Sequence, residues 1–379
     1  MEYESGTLEK LVMLKGIYKD KTVLITGDTG FKGSWLAIWL LHLGAKVIGF
    51  SLPPIEEKSN YLVTGLEERL IHVNGDIRDY NQILEVVQDY EPDFIFHLAA
   101  QAIVLESYLN PLNTFQTNVL GTVNLLESVR NTNSVQVIVN ITSDKCYENN
   151  EWTYGYREID KLGGKDPYSA SKGASEIVSS SYLRSFFNLD SSTCLATARA
   201  GNVIGGGDWA TGRIIPDCIR ALLNNEPIKI RNPHSRRPWQ YVLEPLYGYL
   251  ILGENLFKYG HDFAGAWNFG PNISNNITVE ELVKLVIDKW GVGKYINELN
   301  QQQTKESINL YLDISKASTR LKWNPAISAE DMVSLTIDEY KTENMSKNEI
   351  FEQRTEHIKK YIDLQEKMES RRLSLGSNA

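Results

Sequence analysis

Tyr168 and Lys172 stand four residues apart in "DPYSASKGASE", so on a helix both side chains point the same way. A tyrosine hydroxyl has a pKa of ~10, and a nearby ammonium favours its phenolate form. Together the two make a base for a hydroxyl proton. As an isolated pair this spacing is common surface decoration, so its meaning rests on what else lies nearby. The apolar run "VQVIVNITS" ends in Thr142 and Ser143, and Asp144 and Lys145 follow directly. Strand ends are where open α/β sheets keep their chemistry, because side chains there meet a crevice instead of the core.

A second cluster sits near the start of the chain. "VLITGDTGFKGSW" places Gly27, Gly30 and Gly33 after an apolar run and at the head of a helical pattern. In that context glycines allow a tight turn and close approach to a pyrophosphate, which rests on the N–H groups and dipole of the helix N-terminus. This predicts dinucleotide binding. A dinucleotide fold often ends its second strand with an acidic residue on the adenosine ribose. Here that strand ends "GFSLPP", which offers Ser51 and no charge. "GDIRD" supplies Asp76 and Ile77, the carboxylate for an adenine amino group or as a helix cap, the aliphatic side chain for the ring.

These residues need elements to hold them. From residue 22, β-branched runs ("TVLITG", "KVIGFS", "IHVNGDI", "FIFHLAA", "VQVIVNITS", "STCLATARA") alternate with stretches of helical periodicity. Near-continuous apolar strands alternating with helices imply a parallel sheet covered on both faces. The expected class is α/β, a doubly wound Rossmann sheet with a smaller C-terminal substrate-binding region. The expected boundaries are an N-terminal extension over 1–20, a dinucleotide-binding domain over 21–198, a substrate-binding region over 199–345 with segments returning to the sheet, and a charged helical tail over 346–379. The tail reads as a polar helix, solvated or in an oligomer contact.

At 379 residues with 42% hydrophobic and 23% charged content, the chain reads as a soluble globular protein, and its net charge of −9 offers no general attraction for nucleic acid or anionic membranes. The N-terminus lacks a secretory h-region, and no apolar run is long enough to span a membrane. Cys146, Cys194 and Cys218 are widely spaced and odd in number, which argues against a disulfide framework or a zinc site and for a reducing, cytoplasmic setting.

"TGDTGFKGSW", "GDIRD", "HLAAQ", "TNVLGTVNLLE", "TSDKCY" and "PYSASKGASE", in this order, resemble the extended short-chain dehydrogenase/reductase superfamily. More narrowly, "GFKGSW", "TSDKCY", "GNVIGGGDW", "RIIPD" and "RRPWQYVLEPL" are similar to the CDP-glucose 4,6-dehydratases. The resemblance implies NAD as cofactor and a nucleotide sugar, CDP-glucose by preference, as substrate. It implies an internal hydride transfer: oxidation at C4, loss of water across C5 and C6, and return of the hydride to C6. It also implies a homodimer or a dimer of dimers. Carried over motif by motif, Tyr168 is the base, Lys172 lowers its pKa and contacts the nicotinamide ribose, and Ser143 bonds at the C4 oxygen. Thr29, Phe31 and Lys32 of the glycine turn, Leu98, Ala99, Ala100 and Gln101 of "HLAAQ", and Asn118 join the cofactor contacts. Asn202, Arg213, Ile214, Arg231, Arg237, Tyr241 and Glu244 form the substrate side, where guanidinium forks suit a pyrophosphate.

In the related dTDP-glucose dehydratases the pair after Ser143 is Asp-Glu; here it is Asp144-Lys145, as in the CDP-glucose branch. A lysine acts as a base only when neutral, against a reference pKa of ~10.4. Burial near a positively charged nicotinamide and Lys172 is expected to lower it. Asp⁻/Lys⁺ and AspH/Lys⁰ carry the same total charge, so one pair can supply an acid for the C6 hydroxyl and a base at C5. Two positions depart from the expected "HLAAQPLVRxSY": Ala102 stands for proline and Leu105 for arginine. The alternatives are a dehydratase acting on a dTDP or GDP sugar, a nucleotide-sugar epimerase, which would not need the Asp144–Lys145 couple, and a dinucleotide-sensing regulatory protein, which would be expected to break the Tyr/Lys pair.

Overall fold

The computed structural model describes residues 14, 16–272, 275–298 and 310–376. The 1–20 extension lies largely outside them, although Tyr18 is buried and its hydroxyl donates to the Leu250 carbonyl at 2.6 Å.

Strands and helices alternate from residue 22: β1 (Thr22–Thr26), α1 (Phe31–His42), β2 (Lys46–Ser51), β3 (Ile71–Asn74), α2 (Tyr80–Tyr90), β4 (Phe94–His97), α3 (Gly121–Arg130), β5 (Val137–Ile141), α4 (Pro167–Ser185) and β6 (Cys194–Ala200). A seventh strand, β7 (Gly265–Phe269), returns from the second region to the sheet edge, giving the order β7-β6-β5-β4-β1-β2-β3 with every neighbouring pair parallel. The chain leaves β1 in one direction and resumes at β4 on its other side. All strands therefore point the same way, and a crevice opens at their C-terminal ends where the order reverses.

The strands are apolar on both faces because both faces are covered. Val23 and Ile25 of β1 join the core under α1, while Leu24 between them joins the core under α2 and α3. The first core is continuous with the second region: Trp35 and Trp39 of α1 share it with Leu246 and Leu250 of α6 (Leu243–Tyr259) and with Trp267 and Trp323. Further helices are α5 (Ile214–Leu223), α7 (Val279–Trp290), α8 (Ala329–Tyr340) and α9 (Lys347–Gly376), beside shorter ones at Asn60–Val63, Val104–Leu109 and Pro111–Phe115.

Two expectations are corrected here. The C-terminal stretch is one long helix, but it is not merely solvated. Ile350, Ile358 and Tyr361 of α9 are buried, and the Tyr361 ring meets Trp39 edge-on at 5.9 Å. Arg354, 1% exposed, lies over the Trp35 ring and donates to the Glu339 carbonyl at 2.6 Å and to Asn60 at 3.2 Å. Tyr241 and Glu244 are likewise not open to a nucleotide. Both are fully buried; Tyr241 donates to the Glu339 carboxylate, and Glu244 Oε1 accepts from the amides of Ala326 and Ile327 at 2.7 and 2.9 Å. Burial raises the Glu244 carboxyl to about 7 from an ordinary 4.5, against the pull of those amides.

Two predictions follow from this packing. Ile358→Ala should cost roughly 2–5 kcal/mol in denaturant unfolding, where a solvated tail would lose no more than about 0.5 kcal/mol. For Glu244 the folded-state pKa is the raised one, so the neutral acid stabilises the fold below pH 4.5 and that contribution is lost as pH rises through about 7. Glu244→Gln should therefore gain on the parent by about 2–3 kcal/mol between pH 5 and pH 8. A pH-independent difference would contradict the burial of an ionisable carboxyl.

Candidate active site

α1 begins in a glycine turn that packing enforces. Gly27 has φ +80°, donates its amide to the Phe50 carbonyl at 2.9 Å, and would drive a Cβ to 2.8 Å from the Ala99 nitrogen. A Cβ on Gly33 would lie 2.0 Å from the Gly27 oxygen. Gly30 is different. It is the N-cap of α1 without a side-chain cap, and a Cβ there would meet only the Gly27 oxygen, at 3.2 Å. The first turn of α1 thus presents amides uncapped by any side chain, and these residues fit an anionic pyrophosphate.

The residues of "HLAAQ" run out of β4 beside this turn. Leu98 donates to the Thr26 carbonyl at 3.0 Å, Ala99 to Thr26 Oγ1 at 3.2 Å, and Ala100 is half-buried. His97 is a core residue, held neutral by burial, which lowers its pKa to about 3, and bonded to Thr26 at 2.7 Å. Asn118 is buried and bolts this loop to α4. Its oxygen accepts from the Gln101 amide at 2.8 Å, and its nitrogen donates to the Gln101 carbonyl at 3.0 Å and to Ser171 of α4 at 2.8 Å. Ile77 is similarly turned to the core, 5% exposed and against Gly121. Asp76 accepts from Arg78, which lowers its pKa, and Asp79 rather than Asp76 caps α2.

The chemical residues converge at the end of β5. Ser143 N-caps a single turn, Asp144–Cys146, accepting from the Lys145 amide at 3.2 Å and donating to Asp144 Oδ1 at 2.9 Å. Asp144 is 3% exposed, and Gly201 at the end of β6 makes room for it: a Cβ there would stand 2.9 Å from Oδ2. Lys145 Nζ lies 3.7 Å from Asp144 Oδ1, with about a third of its side chain exposed. α4 starts where Asp166 accepts from the Ser169 amide at 2.9 Å and Pro167 occupies its first turn. That start brings Tyr168 and Lys172 onto the same face, 8% and 7% exposed.

The charge field differs from expectation in two respects. Tyr168 is raised by burial, and the cation that most opposes this is Lys145, followed by the Ser143 hydrogen bond and, more weakly, Arg213. Lys172 donates to the Ile141 carbonyl at 3.3 Å, and burial lowers it to about 8. Lys145 is raised, because Asp144 outweighs its loss of solvent, and Arg237 opposes this only in part. Lys32, lowered to about 7 by burial and by the like charges of Lys172 and Arg213, is steadied by Asp144. One carboxylate therefore couples the glycine turn to the chemical residues.

Arg213, N-cap of α5, is held by Asp208 at 2.8 Å, and Ile214 follows it, half-buried. Half-buried Arg237 acts on Lys145 and donates to the Arg236 carbonyl at 3.0 Å; Arg231 stands exposed beyond the strand Ile228–Ile230. Asn202 is half-buried, its carbonyl accepting from the Gln240 amide at 3.0 Å. Leu105 faces Gly212.

Beneath the site lies a network absent from the sequence reading. Glu176, one turn beyond Lys172, pairs with Arg199 of β6 at 2.8 Å and accepts from Thr142 and from Thr197 at 2.8 Å. Burial alone would raise this carboxyl; Arg199 and the hydroxyls more than offset it. An arginine inside the apolar "LATARA" is the signal that could have found it, since such a charge is buried only with a partner.

The chain is similar to known proteins. The sequence profile of the family described as GDP-mannose 4,6 dehydratase matches residues 24–336. A CDP-glucose 4,6-dehydratase of Salmonella typhimurium is 45% identical over 315 residues, 82% of this chain and 88% of the relative. A CDP-paratose 2-epimerase of Salmonella typhi is 30% identical over 342 residues, 83% of this chain and 98% of that one. Among solved structures, a dTDP-glucose 4,6-dehydratase of Streptomyces venezuelae with NAD and TYD bound superposes with a TM-score of 0.72 at 24% identity, covering 84% of this chain and 96% of that one. This last likeness carries the fold alone. With profile and relatives spanning most of its length, the chain belongs to the GDP-mannose 4,6-dehydratase family of extended short-chain dehydrogenase/reductase enzymes.

Proposed function

We propose that the protein is a CDP-glucose 4,6-dehydratase, converting CDP-D-glucose to CDP-4-keto-6-deoxy-D-glucose and water. The observation that carries this reading is the buried Asp144 beside Lys145 and Ser143, within the charge field of Tyr168. An epimerase needs Tyr168 and Ser143 but has no use for an acid and base paired at C5 and C6. Residues 21–198 would hold NAD, its pyrophosphate suited to Gly30 and the first turn of α1, and residues 199–345 would hold the sugar nucleotide, with Arg213 and Arg237 suited to its phosphates. Bound NAD would supply a hydride acceptor for C4 and a hydride donor for C6.

The protein's own residues move the protons. Tyr168 takes the proton of the C4 hydroxyl, and the Lys145 cation and Ser143 hydroxyl favour the phenolate that does so. The resulting C4 ketone acidifies C5–H. Lys145 in its neutral form takes the C5 proton while protonated Asp144 gives its proton to the departing C6 hydroxyl: the C5–H and C6–O bonds break, the C5–C6 double bond forms and water leaves. Lys145 then returns its proton to C5 as C6 is reduced. Across the cycle the proton lost with water is the one taken from the C4 hydroxyl. Ser143, bonded to Asp144 and acting on Tyr168, is placed to pass it from tyrosine to aspartate.

The resting pair is Asp⁻/Lys⁺, because Asp144 raises Lys145. The neutral pair carries the same total charge, and a bound sugar that excludes water penalises it less. Apolar Tyr108, Leu109 and Leu112 stand exposed, which suits the proposed homodimer. No helix among the described residues is long and apolar enough to cross a membrane, in keeping with a cytoplasmic enzyme acting on a soluble sugar nucleotide.

Incubation with NAD and CDP-, dTDP-, UDP- or GDP-glucose, followed by the alkali-induced absorbance of a 4-keto-6-deoxy sugar, should give signal with CDP-glucose above the others; no signal with any would favour the epimerase. Lys145→Met should reduce water loss by about 10²–10⁴-fold. It should also slow C4 oxidation at neutral pH, since the cation lowering Tyr168 is gone, with oxidation recovering as pH rises and water loss not recovering. Unchanged turnover to the keto product would refute the assignment.

A further inference from the structure

The end of β2 looks neutral in sequence, yet a carboxylate lies directly behind it. Asp28, the second residue of the glycine turn, is 0% exposed. It rests against β2 at Gly49, where a Cβ would lie 2.1 Å from its Oδ2. The parallel register sets Gly49 beside His72 of β3, and His72 Nδ1 lies 2.7 Å from Asp28 Oδ2. Asp28 Oδ1 accepts from Ser51 Oγ at 2.9 Å. Ser51 Oγ is in turn 2.9 Å from Thr29 Oγ1, and both hydroxyls can also reach the Leu52 carbonyl, at 3.1 and 3.0 Å.

Hydrogen allocation decides what this cluster shows to a ligand. An ionised carboxylate only accepts, and a hydroxyl has one hydrogen. A charge-assisted bond is the stronger one, so the Ser51 hydrogen points inward to Asp28 rather than to the Leu52 carbonyl. The Thr29 hydrogen then goes to Ser51 Oγ or to the Leu52 carbonyl. Ser51 and Thr29 are left with lone pairs outward, as acceptors backed by a buried negative charge. A ribose 2′-hydroxyl can donate to them. A 2′-phosphate has no hydrogen to offer at neutral pH and adds negative charge facing Asp28.

We propose that Asp28, acting through Ser51 and Thr29, is the residue that makes this chain prefer NAD over its 2′-phosphorylated form. The role usually given to an acidic residue at the end of the second strand is here supplied from the glycine turn, one hydroxyl removed. The proposal rests on the reading of that turn as the NAD site.

The test is the dissociation constant of NAD and of NADP for the full-length, nucleotide-stripped protein, followed by calorimetry or tryptophan quenching. Asp28→Asn keeps the size and an oxygen for Ser51 while removing the charge. It should tighten NADP by roughly ten- to a hundredfold relative to NAD, the size of one removed like charge at this range and partial exposure. A ratio unchanged within about twofold would overturn the proposal. His72→Asn, at the half-buried rim, keeps the carboxylate and removes its partner, so it should hold or increase the preference for NAD. A fall in preference with that variant would also overturn the proposal, even if Asp28→Asn proved unable to fold. Failure of the parent protein to bind either dinucleotide would instead sink the reading of the turn.

Discussion

Asp144 is a carboxylate almost without solvent at the mouth of β5, and the site around it is cationic: Lys145 at 3.7 Å, with Lys32, Lys172, Arg213 and Arg237 interlinked around it. Such a charge persists out of water only where opposite charge and hydrogen bonds replace its hydration. The Ser143 hydroxyl supplies a bond and Lys145 supplies the charge. The same arrangement raises Lys145, favours ionisation of Tyr168 through that cation, and steadies Lys32 in the glycine turn. The chemistry proposed for this site is a redistribution of protons within one set of charges whose total is fixed by the fold.

Topology is what allows it. A parallel sheet brings β1, β4, β5 and β6 to a common edge, so the glycine turn, "HLAAQ", the Ser143–Lys145 turn and Gly201 meet without any of them being close in sequence. The buried Glu176–Arg199 pair joins α4 to β6 beneath that edge and holds Thr142, next to Ser143. From the other side, Glu339 of α8 accepts the Gly206 amide at 2.6 Å, and Arg354 of α9 anchors α8 to α1 through Trp35. The loop carrying Asp208 and Arg213 is thereby fixed against the helix that starts at the glycine turn.

Much of this was legible because it is local. Strand and helix periodicities, the glycine turn, and the four-residue spacing of Tyr168 and Lys172 are short-range patterns, and the observed elements follow them. What sequence could not show is pairing across the fold. Asp28 and His72 are 44 positions apart and Tyr241 and Glu339 are 98 apart, so Ser51 read as uncharged and Tyr241 as a ligand. Glu244 read as a substrate-side residue for the same reason, its partners lying past residue 325. The packed face of α9 was hidden differently: its stripe runs Ile350, Arg354, Ile358, Tyr361, Gln365, and two of these five buried positions are polar. Polar side chains at those positions erased the apolar signal while burial was retained through hydrogen bonds.

The central claim is that one sugar is oxidised, dehydrated and reduced without exchanging its hydride with anything outside the site. CDP-glucose carrying deuterium at C4, mixed with unlabelled CDP-glucose and converted in ordinary water, tests it most directly. Product molecules should carry the label at C6, each in the molecule that began with it. Label released to water, retained at C4, or found in molecules that began unlabelled would contradict the account.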